Sequence, residues 1–364
     1  MNFKLVLVFS FYLASGAISA QPQISFFNEM KTPALSELFK DSTVFSDLKK
    51  LNAQIRMGML DLTPERAEII RQLNNSDIPV VAWLLLSEAE GYWFTLHNGD
   101  AAIRRYKEII EWARLNNLKF HGIGLDMELD MNDVKLIKSN PWKLIRKLPA
   151  RLYDLETLND ARSKYDSLLR LIRADGYFSE SYYASFVKDE VNLGNTALQQ
   201  LTGFMDIPAD REIPMLYSSF LGNAEGLLTV YGREAGMFTI GLGSTGGGSD
   251  PTLPSLSYQQ LIHDINFASA FATELHIFSL EGCVENGFLS RLTKEKIYPT
   301  GNADPEQIKS TKRLQSVFKR LSRMLSYPTL FFSGLVIGVL VFLTLAFILV
   351  RYLFRLVRSG NAKK

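Results

Sequence analysis

Apolar positions along this chain switch repeatedly between two periods. Short runs rich in β-branched and aromatic residues, at 24–28, 54–60, 79–86 and 120–128, read as strands. Between them the apolar positions recur at helical spacing. Thr63-Pro64-Glu65 opens one helix with an N-cap hydroxyl and a proline in the first turn, and Ile103, Tyr106, Ile109, Ile110 and Ala113 mark one face of another over 100–117. A less regular insertion containing Pro141 and Pro149 follows, then a helix over about 157–174 and a strand over 178–185. Later strand-like runs lie at 204–207, 215–218, 237–242 and 276–280, with a helix over 257–271 before the last.

Strands that alternate with helices imply parallel βα units, and about eight units in this length predict an α/β fold of the (β/α)₈ TIM-barrel type. The runs number one more than a barrel needs. Either 24–28 caps the barrel from outside, or 204–207 and 215–218 share one repeat. An open doubly wound sheet is the competing architecture, but no Gly-x-Gly-x-x-Gly turn follows an early strand.

The two ends follow a different pattern. Lys4, an apolar run to Leu13 and the small residues Ala14 to Ala20 have the layout of a cleavable export signal, 1–20. Residues 329–350 hold no charge, and a helix of that length rises about 33 Å, enough to cross a bilayer once. The expected organisation is therefore a barrel over 21–302, a basic juxtamembrane segment over 303–328, the span over 329–350 and a basic cytoplasmic tail over 351–364. The barrel would face the extracytoplasmic side, with the bilayer as partner through the span. Basic residues flank both ends of the span, so orientation is taken from the export signal. The juxtamembrane segment reads equally well as a helix lying on anionic lipid or as a solvated stalk.

Net charge is +2, much of the basic excess lies beside the span, and nothing in the main domain suggests a nucleic-acid surface. The single cysteine, Cys283, excludes an intrachain disulfide. The four histidines are scattered without metal-ligand spacing, so neither metal nor cofactor is expected, and no Gly-x-Ser-x-Gly elbow supports an esterase. Oligomeric state is not written in the sequence.

The most informative segment is His121-Gly122-Ile123-Gly124-Leu125-Asp126-Met127-Glu128. Alternation sends Ile123, Leu125 and Met127 to one face and Gly122, Gly124, Asp126 and Glu128 to the other. In a barrel the second set enters the lumen, with both acids at the carboxyl end, where barrel enzymes carry their chemistry. Acids about 7 Å apart at Cα couple, and one resists ionising beside the other. Such a Glu can donate a proton to a leaving oxygen.

This segment resembles the Asp-Gly-x-Asp-x-Asp-x-Glu signature of family 18 glycoside hydrolases, the chitinases and endo-β-N-acetylglucosaminidases. Gly122, Asp126 and Glu128 match it, while His121 and Gly124 replace the first two aspartates. Met215-Leu216-Tyr217-Ser218 is similar to that family's Met-x-Tyr-Asp strand, with Ser218 in place of the acid. The resemblance implies that Glu128 is the general acid/base, that Asp126 orients a substrate acetamido group and that Tyr217 bonds its carbonyl oxygen. The acetamido oxygen itself then serves as nucleophile.

Other residues join the candidate site on position alone. Glu281 follows the last strand; about 5 Å from Glu128 it would serve instead as nucleophile of a retaining glycosidase. Trp83, Tyr92 and Trp93 with Glu88, and Tyr182 with Tyr183, fall near strand ends where rings can stack on sugars, and Asp61 is a further rim candidate. The glycine-rich stretch 241–250 suits a loop at the substrate's edge better than a phosphate cradle, because no lysine follows it. The leading expectation is a membrane-anchored glycosidase acting on N-acetylhexosamine glycans. A barrel that binds glycan without cutting it is the alternative from another class, and a structural partner of a membrane complex is a third.

Overall fold

The computed structural model describes residues 21–248 and 254–361. Eight parallel strands form its centre: β1 (Gln23–Asn28), β2 (Gln54–Met59), β3 (Val80–Leu84), β4 (Gly122–Met127), β5 (Phe178–Tyr183), β6 (Arg211–Pro214), β7 (Thr239–Gly243) and β8 (Glu274–Phe278). They pair in the order β6-β5-β4-β3-β2-β1-β8-β7. A single bridge, Met215 to Gly241, joins the two outer strands, so the sheet curls into a nearly closed barrel rather than an open doubly wound layer.

The surplus strand resolves in favour of the N-terminus. β1 sits inside the barrel between β2 and β8, not outside it as a cap. Residues 204–207 form no strand, and the sixth strand ends at Pro214, ahead of the expected 215–218. Proline cannot donate to the ladder, so pairing fades there, and a short helix, Ser218–Leu221, begins at the expected strand's last residue.

The helices follow their local signals. Thr63 Oγ1 accepts from the backbone N–H of Arg66 at the start of Pro64–Asn75, and Ser257 with Gln260 forms a capping box on Tyr258–Ala268. Their apolar faces meet the outward strand residues: Ile123, Leu125 and Met127 lie in the same core as Tyr106, Ile109 and Leu168. The lumen is filled separately, by Phe27, Trp83, Tyr182 and Ile213 over a polar floor. In that floor Arg56 donates to both oxygens of Glu180, at 3.1 and 2.7 Å, with neither side chain exposed. Removing one partner of such a pair typically costs about 3–5 kcal/mol, because the other charge is left buried.

The segment after the barrel departs from a solvated stalk. Helix Pro305–Leu325 is docked along the barrel: Asn223 Nδ2 donates to Thr311 Oγ1 at 2.7 Å, and Ser322 Oγ donates to Glu190 Oε1 at 2.8 Å. Gly226 is required for this approach, because a Cβ there would strike the carbonyl of Gln307. The helix Pro328–Asn361 follows, and its first part, Pro328–Leu345, is long and apolar enough to cross a membrane. It outruns the expected 329–350, continuing into the tail; the expected export signal lies outside the described residues.

Candidate active site

β4 delivers the acid pair, and two glycines make that possible. A Cβ on Gly124 would overlap the Tyr182 ring, and one on Gly122 would overlap Phe178, so only glycine lets these β5 rings cross the lumen beneath the acids. Above them Asp126 is 2 % exposed, and Trp83 Nε1–H donates to its Oδ2 at 3.1 Å. The other oxygen, Oδ1, is buried and has no hydrogen-bond partner among the described residues. Phe94 extends the ladder beyond β4: its N–H donates to Asp126 O at 2.9 Å, and it accepts from Glu128 N–H at 3.1 Å. The backbone on both sides of the pair is thereby fixed.

Burial pushes the Asp126 carboxyl well above its ordinary range, with Glu128 and Glu29 adding to the effect and the Trp83 hydrogen bond opposing it. Glu128 is pushed up to about 8, again by burial first and then by Glu29. The pair therefore retains a proton near neutrality, which is the state a general acid needs.

Glu29 is the residue that sequence reasoning missed. It directly follows β1, is 8 % exposed, and accepts from the Tyr92 hydroxyl at 2.6 Å. Its charge acts on Asp126, Glu128, Tyr217 and Glu281 alike, which places it among them. The signal was present as an acid at a strand's carboxyl end, but it carried no weight while 24–28 had two possible places.

Glu281 reaches the same cluster from the other side. Asn28 Nδ2 donates to its Oε2 at 2.8 Å and Glu29 N–H to its Oε1 at 3.0 Å, and burial pushes it up to about 7. Both oxygens are thus already engaged. The glycine-rich loop packs directly over this carboxylate: a Cβ on Gly247 would collide with Glu281, and one on Gly248 would meet Phe278 and Glu29. A loop pressed against two acids is a poor phosphate cradle; its residues 249 and 250 lie outside the described residues.

Tyr217 stands after β6 and stacks on Phe278, ring centroids 5.8 Å apart; burial first, then the charges of Asp126 and Glu128, push its phenol well above the ordinary range. Together with Glu128 it lines a cavity of about 430 Å³ that also touches Ser185, Phe220, Leu227 and Phe318. Other expected residues lie elsewhere. Tyr182 is fully buried in the lumen, donating to Glu180 at 2.9 Å, and is not at the mouth. Asp61 accepts from Arg66 Nε at 3.0 Å and from Thr32 and Thr63, which hold its carboxyl well below the usual range and commit it to tying loops together. Among the described residues no group of three or more His, Cys, Asp or Glu side chains is placed to hold a metal ion.

Compared with solved structures, the chain is similar in path to chitinase barrels. A family 18 chitinase from Pseudoalteromonas aurantia aligns at 10% identity and a TM-score of 0.45, over 75% of this chain and 99% of that one. The chitinase ChiB of Flavobacterium johnsoniae aligns at 11% and 0.45, over 75% and 93%, and a chitinase of Chromobacterium violaceum at 12% and 0.43, over 76% and 99%. No family model and no curated protein matches the sequence. Identities and scores this low carry no argument about chemistry, which rests on the side chains.

Proposed function

We propose that the chain is a membrane-anchored glycoside hydrolase that cuts N-acetylhexosamine-containing glycans outside the cytoplasm. The observation that carries this reading is the acid pair itself: Glu128, pushed up to about 8, borders a ligand-sized cavity beside buried Asp126. Glu128 protonates the glycosidic oxygen as the C1–O bond breaks, and the substrate's acetamido oxygen closes on C1. Asp126 and Tyr217 hold that acetamido group; Asp126 Oδ1, buried and without a hydrogen-bond partner among the described residues, is the acceptor assigned to its N–H. Water then opens the cyclic intermediate and returns its proton to Glu128. A retaining route through Glu281 is less well supported, because Asn28 and the Glu29 amide occupy both of its oxygens. The apolar helix Pro328–Asn361 and the export-signal pattern of 1–20 support the anchored, extracytoplasmic placement.

The test is hydrolysis of chitooligosaccharides and peptidoglycan fragments by the wild-type chain and by Glu128→Gln. Loss of a general acid is expected to lower kcat by about 10²- to 10⁴-fold. Binding without cleavage by either form would leave a glycan-binding barrel in place of an enzyme.

A further inference from the structure

Glycoside cleavage alone does not explain the wall opposite Glu128. Apart from Glu128, the polar groups lining the cavity are Ser185, Tyr217 and Tyr231, and the Tyr231 hydroxyl already donates to Asp189 at 3.0 Å. The rest of the surface is carbon, with Leu216, Leu227 and Leu314 among it. A pyranose carries hydroxyls around its edge, and each one buried without a partner opposes binding. Hydrocarbon meets no such penalty.

The second observation is where the wall leads. Phe186 and Phe318 line the cavity, stacked at 5.5 Å, and both also belong to an apolar cluster that includes Leu321, Leu325, Phe331 and Phe332. The last two lie on the apolar helix Pro328–Asn361. From Phe318 to Pro328 is ten residues, about 15 Å of helical rise. Near the start of that helix the Tyr153 and Thr329 hydroxyls approach to 3.3 Å. A continuous cluster of packed apolar side chains therefore runs from the cavity wall at Phe186 and Phe318 to the start of the apolar helix.

We propose that this cavity holds the hydrocarbon chain of a glycolipid, drawn from the bilayer with its glycosidic oxygen presented to Glu128. Among the described residues no lysine or arginine lines the cavity, which favours a neutral glycolipid over one joined through phosphate. What Glu128 does there rests on the glycosidase reading; what the cavity binds does not. On cleavage the C1–O bond breaks, the departing lipid oxygen takes the Glu128 proton, and water supplies hydroxyl to the sugar and a proton back to Glu128.

The test uses the full chain in lipid nanodiscs with methyl, butyl and octyl β-N-acetylglucosaminides. Binding is measured by calorimetry on Glu128→Gln and cleavage separately on wild type. Each methylene that becomes buried is expected to tighten binding about threefold to fourfold, so the octyl probe binds at least tenfold more tightly than the methyl one. Leu314 is 39 % exposed and tolerates exchange, so Leu314→Asp, which makes the wall polar, and Leu314→Trp, which fills it, are each expected to erase that gain. Equal affinity for all three probes overturns the proposal. So does a chain-length gain that survives both variants, since the chain would then be dissolving in the disc. A gain without cleavage sinks the hydrolase reading and leaves the lipid site standing; cleavage without a gain does the reverse.

Discussion

Glu128 illustrates how much a single carboxyl can reveal. Its folded-state value of about 8 lies above the ordinary 4.5, so between those two pH values the folded chain holds a proton that the unfolded chain has released. Stability from this group is therefore greatest at the acid end of the window and falls as pH rises toward 8. Glu128→Gln removes the titration, and its melting temperature is expected to exceed that of wild type by a margin that widens from about pH 5 to about pH 8. A margin that stays constant would mean that Glu128 is not desolvated. Under the proposed hydrolase reading the same value sets activity: a proton donor works only when protonated, so kcat is expected to fall above about pH 8. At this scale the sequence was legible for placement that follows from spacing along one strand, as with Asp126 and Glu128. It was not legible for Glu29, whose role comes from Tyr92, Asp126, Glu128 and Glu281, which lie far off in sequence.

At the scale of elements, β4 and β5 form one unit. The alternation of 122–128 predicted which side chains face inward, but not that the two glycines exist to admit Phe178 and Tyr182. Gly124→Ala is expected to displace a Tyr182 ring held by Glu180, and overpacking of that kind costs about 1–3 kcal/mol, read as a lower midpoint in urea. An unchanged midpoint would show that the ring can move freely. Asp61 and Tyr182 teach the opposite lesson. Both stand near strand ends, as binding residues do, yet Arg66 claims one and Glu180 the other. Position along a strand fixes a face; it does not reveal which partners have already taken the side chain's hydrogen bonds.

For the whole molecule, the docked helix Pro305–Leu325 matters most. Its basic residues suggest a segment in solvent or on lipid, whereas its Leu314, Phe318, Leu321 and Leu325 close the side of the barrel that holds the cavity. A chain ending at Asp304 is expected to be less stable than one ending at Tyr327, by roughly 1.5–3 kcal/mol for each apolar side chain fully uncovered. The shorter chain should also bind a hydrophobic dye at the opened cavity. Equal melting temperatures and equal dye binding would show the helix to be a loose stalk.

The sequence by itself determined what local periodicity controls: strands alternating with helices, two acids on one face at the end of the 120–128 run, caps such as Thr63, and an uncharged stretch near the C-terminus. These follow from residue spacing, because a strand alternates every second residue and a helix every three or four. Tertiary structure decided that 24–28 belongs in the barrel and that Arg211–Pro214, outside every expected run, is its sixth strand, that Glu29 and Glu281 flank the acid pair, and that a post-barrel helix walls the cavity. Those outcomes depend on contacts between residues tens to hundreds of positions apart, where burial and hydrogen-bond competition among distant partners set the result and no local pattern records it.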